Sequence, residues 1–289
     1  RDDVESRGLG DVYKRQGSVM SVDTVLPIAA MSVAGNGCVA VMLEDGNTQY
    51  IDMYDTAGDK AYRIKTNISG NGIPMSISIS NDAVKLMVAY TDIENNDIST
   101  SIAFYNFGEV GKNMSERLVG GFDQYDGMLV PKVQFLTADT AIAVATGKLS
   151  IYSITQYPKL MTDIVFDNEL HGIFYSSKYI GLIFPNHESG YPYRILVYDL
   201  KGNLTGTIPV ATDYKKYCFV QDNVLMYDDN DVRMLDFNGA ERFACTFDMA
   251  IDSLVPVSGD DVYVYINSRK VQKIKPVSYT HLRAHETRR

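Results

Sequence analysis

The feature that most constrains this chain is a hydrophobic pattern of period two, broken at regular intervals by one recurring turn. Gln49-Tyr50-Ile51-Asp52-Met53-Tyr54-Asp55 alternates, as does Met75-Ser76-Ile77-Ser78-Ile79-Ser80, and Val262-Tyr263-Val264-Tyr265-Ile266 is a β-branched and aromatic run. Successive side chains of a strand point to opposite faces, so short alternating segments that end at Gly, Asn or Asp predict strands and turns. No segment carries a helical stripe; Gly111–Arg117 is expected to hold at most a single turn.

The turn unit is Tyr54-Asp55-Thr56-Ala57-Gly58, again Tyr198-Asp199-Leu200-Lys201-Gly202, and again Leu235-Asp236-Phe237-Asn238-Gly239. An Asp side chain bonds the backbone two residues on, and Gly accepts the positive φ that closes a hairpin. Weaker copies are Tyr105-Asn106-Phe107-Gly108 and Tyr152-Ser153, giving five anchors at 54, 105, 152, 198 and 235, spaced by 51, 47, 46 and 37 residues. Upstream of each lies a second hairpin signal: Ala34-Gly35-Asn36-Gly37, Ser80-Asn81-Asp82, Thr137-Ala138-Asp139, Ser176-Ser177-Lys178 and Gln221-Asp222-Asn223. A sixth copy begins at Ser258-Gly259-Asp260-Asp261. Two hairpins per period make four strands, the content of one propeller blade. The fold expected is all-β, a β-propeller of four-stranded antiparallel blades with about five blades and part of a sixth present. Approximate blades are 17–66, 67–122, 123–168, 169–213, 214–250 and 251–276. A β-sandwich is the rival, but it does not require the same turn chemistry at the same phase.

Both ends are expected to be foreign. Ser6–Gln16, SRGLGDVYKRQ, and Val277–Thr287, VSYTHLRAHET, are complementary-strand translations of one transposase-end adapter used in short-read sequencing. Residues 1–16 and 277–289 are therefore read as adapter and set aside, leaving 17–276 as an internal propeller fragment. Its first and last blades are expected to carry open, aggregation-prone edge strands. The adapter reading removes His281 and His285 and leaves 20 Lys+Arg against 31 Asp+Glu, a net charge of −11 instead of −9.

This acidity, with no basic cluster, argues against nucleic-acid binding, which rests on phosphate neutralisation. No run approaches the roughly 20 apolar residues of a membrane helix. Cys38, Cys218 and Cys245 are odd in number and far apart, and are expected to be buried free thiols. Abundant Tyr without Trp suits half-buried strands.

The second and third repeats carry a more particular likeness. Ser101–Asn113 (SIAFYNFGEVGKN), Arg117–Phe122 (RLVGGF) and Val130-Pro131-Lys132-Val133 resemble an uncharacterised family of bacterial propeller-like proteins, catalogued only as a domain of unknown function. The likeness covers most of 25–275 and is firmest over 99–155 and 195–202. It implies a quinoprotein-like or WD40-like propeller carried outside the membrane on one N-terminal helix, which the fragment lacks. The family has no established catalytic residues to carry over.

Candidate chemistry is sparse. His171 opens an apolar strand, Leu170–Tyr175, and His187 lies in the polar loop Asn186–Pro192. They lack the close spacing of a zinc hydrolase and read as surface or capping residues. Tyr227-Asp228-Asp229-Asn230-Asp231 and Asp92-Ile93-Glu94-Asn95-Asn96-Asp97 offer oxygen ligands but not a calcium-loop pattern, and read as hairpins. Gly70-Asn71-Gly72 and Gly120-Gly121 are not followed by helices and read as blade connections. No catalytic, cofactor-binding or metal-ligating residue is assigned, and no cofactor is expected. The function expected is a non-enzymatic extracytoplasmic interaction propeller with an unknown protein or small-ligand partner. Its loops Asp92–Ser99, Phe107–Ser115 and Asn186–Pro192 are the expected binding elements. The alternative is a hydrolase or quinoprotein-type enzyme with its site at the channel mouth. Convergence of carboxylates, Arg or His there distinguishes the two.

Overall fold

The computed structural model describes residues 20–94, 97–186, 190–257 and 262–275, with only the backbone of Glu94. The two segments read as adapter, His187 and the turn Ser258–Asp261 lie outside the described residues. The chain divides into two compact units, 1–167 and 168–289.

Unit one holds three four-stranded antiparallel meanders. Sheet 1 is β1 (Ile28–Val33), β2 (Val39–Asp45), β3 (Thr48–Tyr54) and β4 (Lys60–Asn67). A one-turn helix, α1 (Ile68–Asn71), leads to sheet 2: β5 (Ile73–Ile79), β6 (Lys85–Glu94), β7 (Asp97–Asn106) and β8 (Leu118–Asp126). Sheet 3 is β9 (Lys132–Phe135), β10 (Thr140–Ala145), β11 (Lys148–Ile154) and β12 (Pro158–Val165). Unit two holds sheet 4, β13 (Gly172–Tyr175), β14 (Tyr179–Pro185), β15 (Tyr193–Asp199) and β16 (Leu204–Val210), and sheet 5, β17 (Lys216–Val220), β18 (Asn223–Tyr227), β19 (Asp231–Asp236) and β20 (Glu241–Thr246). Among the described residues sheet 6 has three strands, β21 (Ser253–Val257), β22 (Val262–Asn267) and β23 (Lys270–Ile274). These are propeller blades, present as five complete sheets and one three-stranded sheet.

The repeated turn is the same object each time. Asp55 Oδ1 accepts the N–H groups of Ala57 (2.9 Å) and Asp59 (3.0 Å), Asp199 Oδ1 those of Lys201 (2.8 Å) and Asn203 (2.9 Å), and Asp236 Oδ1 those of Asn238 and Ala240 (both 2.9 Å). Gly58, Gly202 and Gly239 adopt φ of 90°, 84° and 83°, a region open to Gly without strain. At all five anchors the pairing of third and fourth strands slips, with register shifts at Met53/Tyr54, Phe104/Tyr105, Ile151/Tyr152, Val197/Tyr198 and Met234/Leu235. An extra residue on one strand bends it and raises its twist, so the anchor marks where each blade begins its outer strand. Replacing Asp199 by Ala removes three charge-assisted bonds from one turn, those from the N–H groups of Lys201 and Asn203 and from Asn203 Nδ2. It is expected to lower unfolding stability by about 1–2 kcal/mol, measurable by urea denaturation, and Asp55→Ala and Asp236→Ala should match it.

Apolar alternation packs the sheets face to face. Ile51, Met53 and Ile64 of sheet 1 meet Ile79, Leu86, Val88 and Tyr105 of sheet 2. The opposite face of sheet 2, with Met87, Ile102 and Phe104, meets Val133, Ala141, Ala143 and Tyr152 of sheet 3. In unit two, Ile195, Val197 and Ile208 meet Val224, Met226 and Leu235, and Leu225 and Met234 meet Leu254, Tyr263 and Tyr265. First strands have an open edge, and in unit one serines close it. Ser32 Oγ accepts from Ile79 N–H (3.1 Å), Ser76 Oγ from Val133 N–H (3.1 Å) and Ser78 Oγ from Phe135 N–H (2.8 Å), which leaves those edge donors satisfied.

The second face of sheet 1 holds a buried charge. Met20, Val22 and Leu26 cover Val39, Val41, Leu43 and Tyr54. The Asp52 side chain is 0% exposed. It receives Arg63 through Nε (2.6 Å) and Nη2 (2.7 Å), Lys60 Nζ (3.2 Å) and the Tyr54 hydroxyl (3.3 Å). Burial pushes its pKa up, but bonds from Arg63 and Lys60 outweigh this and hold it below the usual carboxylate range.

Several local readings need correction. Gly120-Gly121 is not a connection; both lie inside β8, opposite Phe104 and Ala103, so sheet 2 runs past 122 to Asp126. A Cβ on Gly120 would come within 2.6 Å of the Pro158 ring, so close approach of neighbouring blades requires the glycine there. The hairpin read at Asp92–Asp97 is present, with β6 and β7 paired from Asp92↔Ser99 to Glu94↔Asp97, so most of the Asp92–Ser99 binding element is strand. The cysteines are free, but Cys245 is exposed and the other two are only partly buried. Most of β20, the outermost strand of sheet 5, faces solvent, so apolar residues there do not signal burial.

Candidate functional site

A gathering of polar side chains beside open cavities lies in unit two, where Ala211–Lys215 links β16 to β17. Asp213 in this link receives His171, which immediately precedes β13, with Nε2 at 3.0 and 3.1 Å from the two carboxylate oxygens. The Tyr193 hydroxyl, at the start of β15, donates to the same carboxylate at 3.5 Å, and the His171 and Tyr193 rings lie 4.6 Å apart. Next in the chain, Tyr214 is buried and its N–H donates to the Tyr217 hydroxyl (3.1 Å). Burial pushes the Tyr217 phenol up to about 12, so it remains a neutral hydroxyl at physiological pH. Lys215 reaches Asp229 in the β18–β19 hairpin at 2.6 Å, a bond that raises the lysine pKa.

Three cavities open around Tyr214. The first, about 370 Å³, is lined by His171, Phe174, Ile183, Asp213, Lys216 and Tyr217. The second, about 490 Å³, is lined by Thr212, Asp228, Asp231, Arg233 and Thr246 beside Tyr214. The third, about 220 Å³, shares Arg233 and adds Tyr191, Met226 and Glu241. Asp231 accepts the Thr246 hydroxyl (2.6 Å), and Arg233 pairs with Glu241 (3.3 Å). Charges of both signs thus line these largely polar cavities around Tyr214, an arrangement suited to holding a polar partner.

Sequence reasoning placed these residues separately. His171 does sit at a strand start, and its backbone N–H bonds Ile183 O (2.9 Å), but its side chain is paired across 42 residues with Asp213. The Tyr227–Asp231 stretch forms a hairpin closed by Asp228 N–H to Asp231 O (3.1 Å), while its Asp229 and Asp231 side chains serve the site. Among the described residues no three His, Cys, Asp or Glu side chains gather as metal ligands. Asp213 and Lys215, in the link between sheets 4 and 5, and Arg233, inside β19, carried no local signal in the sequence. Phe107–Ser115 is an ordered insertion, with Arg117 over the Tyr62 ring (4.8 Å) and donating to Phe107 O (3.3 Å).

Solved structures share the architecture. Sqt1 from Chaetomium thermophilum matches with a TM-score of 0.56 and 9% identity, covering 86% of this chain and 68% of that one. Hsv2 from Kluyvelomyces marxianus matches at 0.51 with 10% identity, covering 86% and 72%. A prolyl endopeptidase matches at 0.52 with 11% identity over 84% of this chain but only 39% of that one. At such identities the likeness is one of fold, the β-propeller. A search of curated proteins finds no match. The profile of one family, however, spans residues 11–275, and the chain belongs to that family of unknown function, DUF5711.

Proposed function

We propose that this chain is the interaction domain of an extracytoplasmic bacterial protein, anchored by a helix outside the described residues, and that it binds a protein partner at the link end of sheets 4 and 5. One observation carries the reading: Tyr214 walls three cavities whose linings bring together Asp213, Asp228, Asp231 and Glu241 with Lys215, Lys216 and Arg233. A buried aromatic ringed by charge is the anatomy of a protein-binding hot spot. The extracytoplasmic, anchored setting rests on the family resemblance. A second reading, hydrolysis, is favoured by the His171–Asp213 pair, which has the form of a base and its orienting carboxylate. The cavity beside that pair is lined by Tyr, Phe, Ile and Lys, not by Ser, Thr or Cys, so the nucleophile would have to be water.

The test is to purify the full-length protein with its bound partner from native cells. Lys215→Glu, at an exposed position, and Tyr214→Ala should each reduce co-purified partner at least about tenfold. Retention of the partner by both variants, with ester or peptide turnover abolished by His171→Ala, would overturn binding in favour of hydrolysis.

A further inference from the structure

We infer, on the partner-binding reading of this site, that the partner inserts a lysine side chain into the cavity of about 490 Å³, where Asp228, Asp231 and the Tyr214 hydroxyl receive its ammonium. The charges of the site are unevenly matched. Lys215 is held by Asp229 (2.6 Å) and Arg233 by Glu241 (3.3 Å). Among the described residues no cation is paired with Asp228 or Asp231. Asp231 accepts the Thr246 hydroxyl (2.6 Å), a neutral group, and Asp228 is bonded through its backbone N–H to Asp231 O (3.1 Å). The two ion pairs also brace the walls. Lys215–Asp229 ties the β18–β19 hairpin to the link that carries Tyr214, and Arg233–Glu241 ties β19 to β20. Charge reversal at Lys215 or Arg233 therefore disturbs the shape of the cavity as well as its charge.

Tyr214 is an independent sign of a ligand. It is 8% exposed and walls the cavity. Its backbone N–H donates to Tyr217, but its own hydroxyl makes no hydrogen bond among the described residues. Burial raises the Tyr214 phenol above its ordinary value, Arg233 opposes the rise, and Asp228, Asp231 and Glu241 add to it. The hydroxyl is thus neutral and set among these charges. A buried hydroxyl left without a partner is costly, and a bound donor removes that cost. An ammonium carries three donors and no acceptor, which suits two carboxylates and one phenol oxygen. A calcium ion takes about six to eight oxygen ligands, and among the described residues no three His, Cys, Asp or Glu side chains gather to begin such a shell. An anionic group would meet the same unpaired carboxylates, and the chain is acidic as a whole, which draws cations towards it and repels anions.

The test purifies the full-length protein with its partner from native cells and treats the complex with a water-soluble carbodiimide, which joins a carboxylate to an amine in direct contact. Coupling of Lys215 to Asp229 within the chain, a 2.6 Å pair, is the internal control. Peptide mass spectrometry is expected to find Asp228 or Asp231 joined to a lysine of the partner. Asp228→Asn combined with Asp231→Asn keeps an acceptor for the Thr246 hydroxyl but removes both charges. It should reduce co-purified partner at least about tenfold, with an unchanged far-UV circular dichroism spectrum reporting an intact fold. Full retention of the partner by this double variant, or control coupling with no partner adduct at 228 or 231, would overturn the lysine. Tyr214→Ala keeps two failures apart. Release of the partner by that variant alone would leave binding at this site standing without a lysine, whereas retention by every variant would overturn both.

Discussion

Replacing Phe104 by Ala is expected to lower the unfolding free energy by about 3–5 kcal/mol and the melting temperature by roughly 10 °C. Phe104 is fully buried between sheets 2 and 3. Its ring meets Tyr152 at 5.3 Å and Phe122 at 6.0 Å, both edge-on. Truncation removes the transfer free energy of the ring and also leaves a cavity. Its neighbours cannot collapse into that cavity, because Tyr152 is held to Tyr125 through paired hydroxyls. Leu204→Ala, at an exposed position on β16, is the control and should change stability by no more than about 0.5 kcal/mol. Guanidinium unfolding followed by tyrosine fluorescence separates the two. A small effect at Phe104 would mean that sheets 2 and 3 do not pack through this face.

The second large effect is expected at Arg63. Arg63→Ala leaves the carboxylate of Asp52 fully buried with Lys60 as its one remaining cation. Stranding a buried charge costs about 3–5 kcal/mol. Arg63 is itself 41% exposed, so solvent screens part of its contribution and about 2–3 kcal/mol at neutral pH is the expected loss. Asp52→Ala combined with Arg63→Ala should be more stable than Arg63→Ala alone, since no charge is then left unpaired. The pH dependence has a defined sign. Native Asp52 has a lowered pKa, so its contribution is present above the unfolded carboxylate value of about 3.9 and is lost as pH falls through the native one. In Arg63→Ala burial dominates and raises that pKa. The stability gap between native protein and variant should therefore narrow on acidification, a trend that thermal melts between neutral and acid pH would measure.

The legible part of this fold was the part written in local chemistry. Tyr54-Asp55, Tyr198-Asp199 and Leu235-Asp236 could be read as turns because the Asp bonds N–H groups two and four residues on, within the same few residues. Their common phase then gave the strand count per sheet. Gly120 was misread because what requires a glycine there is Pro158 on the next sheet. The candidate site was the least legible. His171 and Asp213, or Lys215 and Asp229, are distant in sequence and meet only after two blades have stacked, and neither pair carries a spacing that sequence could reveal.

The central functional claim is that the link end of sheets 4 and 5 holds a partner. It is tested most directly by site-specific photo-crosslinking of the full-length protein in native cells. One probe replaces Lys215, beside Asp213 and Tyr214. The other replaces Lys201, in the turn between β15 and β16. One protein adduct is expected at position 215, absent at 201 and lost when Arg233→Glu is added. Equal crosslinking at both positions, or an adduct at 201 alone, would contradict the claim.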